Sequence, residues 1–315
     1  MQQKRRRIEY SSVNEIAMTS AVSSSVTTAA RMPIVVGVAR SGTTLLRMIV
    51  DAHPQLAIPP ETGFLPALAE LDGPRRATPS RVLRVLTESP GWPDFHLEAG
   101  ELLAQLESLD PFSVAEGARC FYRVYAARFQ KTRWGDKTPG YITSMTAIER
   151  LLPEACFIHV IRDGRDVAVS LRPMWFAPSR DIRKLAAYWR DQILDGRRQA
   201  AHVRQYVEVR YETLVCETAR VVAEVCERLD LPWSDETLRY YEHAAARLEE
   251  HEGRTGGRGS VVLTKEQRRS QQIMTTRPPD PGRMGRWRTE LSPQERAQFE
   301  GVAGDLLDEL GYLSV

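Results

Sequence analysis

The first apolar run dense enough to be a buried strand is Pro33 to Val38 (PIVVGV), where β-branched residues stand side by side instead of alternating with polar ones. Such a run suits a strand covered on both faces, as in the middle of a parallel sheet. The period then changes. Over Thr43 to His53 (TTLLRMIVDAH), Leu46, Ile49 and Val50 fall on one helical stripe, and His53-Pro54 stops it. The same succession recurs at Ala155 to Ile161 (ACFIHVI), with Arg162-Asp-Gly-Arg165 as the turn and a helix from about Asp166. It recurs again at Val207 to Tyr211, before a helix over Thr218 to Leu229 that Asp230-Leu-Pro232 ends. Strand followed by helix, repeated, predicts an α/β fold: a parallel sheet flanked by helices, with ligands at the carboxyl ends of the strands.

Two stretches depart from that rhythm. Residues 64–130 alternate helical patterns with Pro/Gly breaks such as Pro90-Gly91-Trp92-Pro93, which predicts a helical insertion. Its aromatics Phe64, Trp92 and Phe95, and Trp175 further on, are expected mostly in the core. Residues 250–285 (including EGRTGGRGS, KEQRRSQQ and TTRPPDPGR) carry almost no apolar periodicity and read as a flexible Arg-rich lid over an anionic ligand. A last helix, Pro293 to Leu310, is predicted to close the chain. Residues 1–32 open on Lys4-Arg5-Arg6-Arg7 and continue into the Ser/Thr/Ala-rich SAVSSSVTTAA, the pattern of a disordered or vector-derived leader. So short and isolated a basic cluster does not indicate a nucleic-acid partner. Residues 33–315 are then expected to form a single domain.

Composition narrows the picture in three respects. A chain of 315 residues with 42% hydrophobic content can bury a large core without staples. Its 43 basic and 41 acidic residues nearly cancel to a net charge of +2, so any anion site must be a local concentration of charge. Cys120, Cys156, Cys216 and Cys226 show no CxxC or Cys/His ligand spacing, which points to reduced thiols and no metal site. No run approaches the ~20 apolar residues of a membrane span, and no apolar h-region follows the N-terminal charges. A cytoplasmic protein without a membrane span is expected, with the oligomeric state open.

The candidate chemistry begins in the first turn. Gly37-Val-Ala-Arg-Ser-Gly42-Thr43-Thr44 lies between a buried strand and a helix start, where backbone N–H groups and the helix dipole converge on an anion. Gly-x4-Gly is the spacing of a nucleotide-binding P-loop, so the sheet is expected to be of P-loop type. The position after Gly42, where a kinase or ATPase carries its phosphate-reaching lysine, is instead Thr43, and the nearby cation is Arg40. Phosphoryl transfer from ATP needs that lysine and a magnesium ion, whereas a sulfuryl group carries less charge and can be served by donors and fixed cations alone. A magnesium-dependent P-loop kinase and a non-catalytic nucleotide-binding domain remain the alternatives.

The stretch GVARSGTTLLRMIVDAHPQLAIPPET, together with Trp134-Gly-Asp-Lys-Thr-Pro139, Val160 to Ser170 (VIRDGRDVAVS), Val209 to Leu214 (VRYETL) and Gly285-Arg-Trp-Arg288, resembles the sulfotransferases that use 3′-phosphoadenosine 5′-phosphosulfate (PAPS). The likeness is strongest to the tyrosylprotein sulfotransferases. It implies that Arg40, Ser41, Gly42, Thr43, Thr44 and Leu45 hold the 5′-phosphosulfate, that Arg162 and Ser170 bind the 3′-phosphate, and that Tyr211 lines the nucleotide site. The product would be adenosine 3′,5′-bisphosphate and no metal would be required. Cytosolic sulfotransferases have an Arg-Lys-Gly triplet shortly before the Gly-x-Trp patch. Here Asp280-Pro281-Gly282 stands instead, with arginines at 283, 286 and 288, which leaves the contacting arginine open.

Glu61, in the stiff Pro59-Pro60-Glu61-Thr62 turn, matches the catalytic glutamate of the resembling enzymes and is the expected general base. His53 is the rival base, although a histidine before Pro54 at a helix end more often caps carbonyls. By the same resemblance Lys137 is the expected transition-state cation together with Arg40. The acceptor is expected to be a small-molecule hydroxyl, an alcohol or phenol.

Overall fold

The computed structural model describes residues 30–72, 77–255 and 261–313. In chain order the elements are strand β1 (Met32–Gly37), helix α1 (Thr43–Asp51), strand β2 (Leu56–Ala57), helices α2 (Leu65–Leu71), α3 (Pro79–Glu88), α4 (Ala99–Glu107) and α5 (Val114–Ala127), and strands β3 (Arg133–Trp134) and β4 (Asp136–Lys137). Helix α6 (Met145–Leu151), strand β5 (Ala155–Ile161), helices α7 (Gly164–Leu171) and α8 (Ile182–Ala200), strand β6 (Tyr206–Arg210) and helices α9 (Tyr211–Cys216), α10 (Thr218–Arg228) and α11 (Tyr241–Leu248) follow. Strands β7 (Arg254–Thr255) and β8 (Val261–Leu263) and helices α12 (Lys265–Ser270), α13 (Trp287–Glu290) and α14 (Pro293–Glu309) complete the described chain.

The main sheet is parallel throughout, in the order β4-β1-β5-β6. β1 lies in its interior, which accounts for its uninterrupted apolar run: every residue of the strand is buried. Alternate side chains serve opposite layers. Ile34 and Val36 pack with Phe64, Leu68 and Phe121 on one face, while Val35 packs with Ile49, Leu214 and Val222 on the other. A third cluster joins Val38 and Ile161, at the strand ends, to α7, α8 and α14 through Val167, Trp189 and Phe299. The strands and helices expected from hydrophobic periodicity are present, with ends differing by one or two residues.

The structure adds to two of the expectations, and a third falls largely outside the described residues. The helical stretch after residue 64 is no appendage, because its side chains form most of the apolar layer against one face of β1. The expected leader falls largely outside the described residues, and Met32 already opens β1 with its side chain buried. The Arg-rich segment carries structure that hydrophobic period alone does not show: β7 pairs antiparallel with β8, and α12 starts on a capping box between Thr264 and Gln267. Its Arg254 and Arg268 both grip the fully buried Asp94, with contacts of 2.7 to 3.2 Å, so they fasten the segment to the helical layer instead of hanging free over a ligand. Residues 256–260 of that segment lie outside the described residues.

One glycine shows how tightly the third cluster is built. A Cβ on Gly164, at the start of α7, would lie 2.4 Å from the ring of Trp189, which is fully buried and donates its Nε1–H to the Arg162 carbonyl at 3.2 Å. Gly164→Ala should therefore cost about 1–3 kcal/mol through overpacking, read as a lowered midpoint in thermal unfolding. An unchanged midpoint would show that α7 and α8 are packed less closely than described.

Candidate active site

The site grows from the end of β1. Gly37 has φ 151, and a Cβ there would come within 2.6 Å of the Val160 carbonyl on β5, so the strand can end this close to its neighbour only as glycine. Arg40 and Gly42 both adopt left-handed backbone, with φ 74 and φ 101, and the Ser41 amide closes back on the Val38 carbonyl at 3.1 Å. α1 then starts with Leu46 donating to the Gly42 carbonyl, which leaves its first-turn amides without helical partners. Gly42 is doubly constrained, since a Cβ would meet the Tyr211 ring at 2.4 Å.

A cavity of about 460 Å³ opens above this loop and is lined by Arg40, Gly42, Thr43, Thr44, Leu45, Glu61, Arg162, Ser170 and Tyr211. These residues, singled out along a chain segment of more than 170 positions, are thus neighbours in space. Ser41 departs from the expectation for its side chain: it is fully buried, with a hydroxyl that has no hydrogen-bond partner, and it does not line the cavity. Lys137 does not line it either. Its side chain is buried and reaches the cavity only through Glu61, whose Oε1 accepts from Nζ at 2.5 Å.

Three guanidinium groups converge here. Arg40 donates its Nε–H to the Ser170 hydroxyl at 3.1 Å. Arg162, at the end of β5, lies over the Tyr211 ring at 4.3 Å and donates from Nη2 to the Arg283 carbonyl at 2.7 Å and to Asp166 at 3.2 Å, while its buried Nε has no partner. Arg283 lines the same cavity. Burial, followed by the charges of Arg162 and Arg283, pushes the Arg40 guanidinium below its ordinary pKa, and Glu61 offsets this only in part. A cation crowded by two others in this way favours a bound anion.

The C-terminal patch is fixed to this cluster by Asp166, which accepts from the backbone N–H of Gly285 at 2.8 Å and of Trp287 at 3.0 Å as well as from Arg162. Of the arginines at 283, 286 and 288, Arg283 is therefore the one at the cavity. Arg286 pairs with Glu290 on α13, and Arg288 lies over the Trp287 ring. Arg165 is structural: it binds Asp163 and Glu300 and lies over the Trp287 ring at 3.7 Å.

Glu61 keeps half of its side chain accessible and faces the cavity. Desolvation opposes its ionisation, but Lys137, with Arg268 and Arg254 behind it, holds the carboxyl below the usual carboxylate range. Burial lowers the Lys137 ammonium in turn, and Glu61 restores part of that loss. Thr62 anchors the turn from one side. Its amide donates to Thr138 at 3.1 Å and its hydroxyl to Asp136 at 2.6 Å, on the strand that carries Lys137. His53 is elsewhere: its Nδ1 accepts from the Gln55 amide, so Nε2 carries the proton donated to the Pro232 carbonyl at 2.9 Å. It is a buried cap and not a base. Among the described residues no group of three or more His, Cys, Asp or Glu side chains is placed to hold a metal ion, and no helix is long and apolar enough to cross a membrane.

Several cavity residues carry no individual site signal in the sequence, although the Arg-rich segment is expected over an anionic ligand. His251, Arg254 and Arg268 complete the wall beyond Glu61. Trp175 and Phe176, 55% and 39% exposed, stand edge-to-face at its mouth, so Trp175 belongs to the cavity and not the core.

The family model described as the sulfotransferase family matches residues 34–235, more than half of the chain. Protein-tyrosine sulfotransferase 1 of Homo sapiens is 27% identical over 289 residues, covering 89% of this chain and 70% of that protein. The same-named protein of Danio rerio is 25% identical, with 89% and 72% covered. An uncharacterized protein of Aquifex aeolicus is 29% identical over 217 residues, but this chain spans only 26% of its length. Among solved structures, the sulfotransferase domain from the Synechococcus PCC 7002 olefin synthase superposes with a TM-score of 0.55 at 20% identity, covering 88% of this chain and 94% of that one. The sulfotransferase domain from the curacin biosynthetic pathway gives 0.52 at 18% identity, a likeness of fold. With a matched family model spanning nearly all of β1, the loop, Arg40 and Arg162, the chain belongs to the sulfotransferase family and is an enzyme of that family.

Proposed function

We propose that the chain transfers the sulfuryl group of PAPS to the hydroxyl of a small-molecule phenol or alcohol, with Glu61 as general base. The observation that carries this reading is the Glu61–Lys137 pair opening onto a cavity made electropositive by Arg40, Arg162 and Arg283. The donor fits that cavity on two counts: it is an oligoanion meeting guanidinium charge that Asp166 and Glu61 offset only in part, and the buried Arg162 Nε lacks an acceptor. Bound there, PAPS would supply an activated sulfuryl group on a phosphate leaving group. The amides of the 41–45 loop and the hydroxyls of Thr43 and Thr44 would hold its 5′ side, and Arg162, Ser170 and Arg283 its 3′-phosphate, with Tyr211 beside the nucleotide.

The chain's own groups then have distinct tasks. Glu61, kept ionised by Lys137, takes the proton from the acceptor oxygen. Arg40 places positive charge where oxygen charge develops, already oriented before the reaction starts, while Lys137 acts through the Glu61 carboxylate it holds. Trp175 and Phe176 at the mouth, with Leu263 and Met274, give an apolar wall suited to the body of a phenol. A free phenol and a peptide tyrosine share that chemistry, so both belong among the acceptors tested with labelled donor and mass spectrometry. Sulfation of peptides alone would restrict the reading to protein acceptors.

Glu61→Gln is expected to lower kcat by about 10²-fold or more while leaving the affinity for adenosine 3′,5′-bisphosphate unchanged by calorimetry. Normal turnover of that variant would remove Glu61 from the role of base. Because the Glu61 carboxyl is held low, the base stays ionised as pH falls, and the acid limb of kcat should lie below the ordinary glutamate value of ~4.3. A limb near pH 6 to 7, in the range of an ordinary histidine at ~6.5, would point to another group.

The arginine assignment has its own check. Losing a charge-assisted contact to a phosphate costs about 1.5–3 kcal/mol, so Arg283→Ala should weaken bisphosphate binding about 10- to 100-fold. Arg286→Ala, at a residue that pairs with Glu290, does not line the cavity and acts on Arg40 only as the last of its neighbouring charges, should change it less than about 2-fold. The reverse order would place the 3′-phosphate elsewhere.

A further inference from the structure

We infer that Arg247 and Asp51 are positioning residues for the Glu61 carboxylate, acting through the backbone of Ile58. This rests on the reading of Glu61 as the base. Ile58 is fully buried and has both of its backbone polar groups taken by charged side chains. Its N–H donates to Asp51 Oδ1 at 2.7 Å. Its carbonyl accepts from Arg47 Nε at 3.0 Å and from Arg247 Nη2 at 3.0 Å. An ordinary loop carbonyl facing water needs no such partners, and burying two guanidinium groups to serve one is costly unless the geometry is fixed by it.

The guanidinium of Arg247 is itself held on several sides. It donates to both oxygens of Asp51, at 2.8 and 3.1 Å, to the Tyr125 hydroxyl at 2.8 Å, and to Glu250. The fork therefore joins α1, α5 and α11 at one point, and that point is the Ile58 peptide. Pro59 and Pro60 carry the constraint forward, since each proline fixes φ near −65° and leaves the two residues between Ile58 and Glu61 little freedom. On the far side Thr62 is bound to Asp136 and Thr138. Glu61 is thus the middle of a turn clamped at both ends, and the clamp presents its carboxylate to Lys137. The other charges that face it are Arg40 from the phosphate loop, Arg254 from β7 and Arg268 from α12.

The test is the titration of the Glu61 side-chain carbon by NMR of the full chain, with the signal assigned by its loss in Glu61→Gln. Asp51→Asn keeps the size of the side chain and removes a negative charge, which by charge alone can only lower the Glu61 pKa. A released turn instead parts Glu61 from Lys137, so a rise toward ~4.3 is expected. Arg247→Lys keeps the charge and loses the fork, and should move the midpoint in the same direction. With 4-nitrophenol as acceptor, both variants should lose at least about 10-fold in kcat at unchanged KM for PAPS. In the unmodified protein the Ile58 amide should exchange slowly with deuterium.

An unmoved or lowered Glu61 midpoint in folded Asp51→Asn overturns the proposal, as does Ile58 exchange at the rate of an open loop. A purely structural role would scale the active fraction without shifting the midpoint. The two readings fail separately: normal turnover by Glu61→Gln sinks the base, whereas an inactive Glu61→Gln beside an unaltered Asp51→Asn titration sinks only the positioning.

Discussion

Like charges gathered where strands end are the constraint around which the molecule is arranged. Arg40, Arg162 and Arg283 come from three distant parts of the chain and sit close enough for burial and mutual repulsion to depress Arg40. Left alone such a cluster opposes folding, so each member is held by something rigid. The Arg40 backbone is locked in a left-handed turn at the end of β1, Arg162 is stacked on Tyr211 and bonded to Asp166, and Arg283 is carried by the segment that Asp166 fastens through Gly285 and Trp287. One carboxylate thus offsets one guanidinium and places the loop that delivers another. What it does not do is neutralise the cluster, and the residual charge is what an oligoanionic donor meets.

The acceptor half follows a different electrostatic rule. There Glu61 and Lys137 form an ion pair in which each partner offsets part of the other's burial. On the proposed reading, a positive donor site apart from the Glu61–Lys137 pair lets one cavity bind a polyanion without immobilising its base. Arg254 and Arg268 add to the field that holds the Glu61 carboxyl low, and Asp94 fixes where both of them stand. The Arg-rich segment is therefore a fixed wall that also carries Arg283 to the cavity.

Much of this was legible in the sequence because it is local. A β-branched run, a glycine-spaced turn and a helix stripe determine the loop at 37–45 within one short stretch, and Arg162 follows from its place at the end of a second such strand. What stayed hidden depends on distant partners. Asp94 is an unremarked aspartate in Trp92-Pro93-Asp94 until Arg254 and Arg268 arrive from more than 150 residues away. β4 pairs with β1 through only two residues, too few to show alternation, although it carries Lys137. The choice among arginines 283, 286 and 288 is made by Asp166, and no spacing rule contains that contact. Ser41 shows the converse: the loop pattern placed its backbone, but the turn buried its hydroxyl.

If the arginine cluster exists to grip a nucleotide at two separate anionic ends, affinity must depend on both. Calorimetric titration of adenosine 3′,5′-bisphosphate against adenosine 5′-monophosphate, at fixed ionic strength, measures this directly. The account predicts that the bisphosphate binds at least about 10-fold more tightly, the worth of one charge-assisted phosphate contact. Equal affinities would mean that Arg162 and Arg283 meet no phosphate, and the charge at the strand ends would need another explanation.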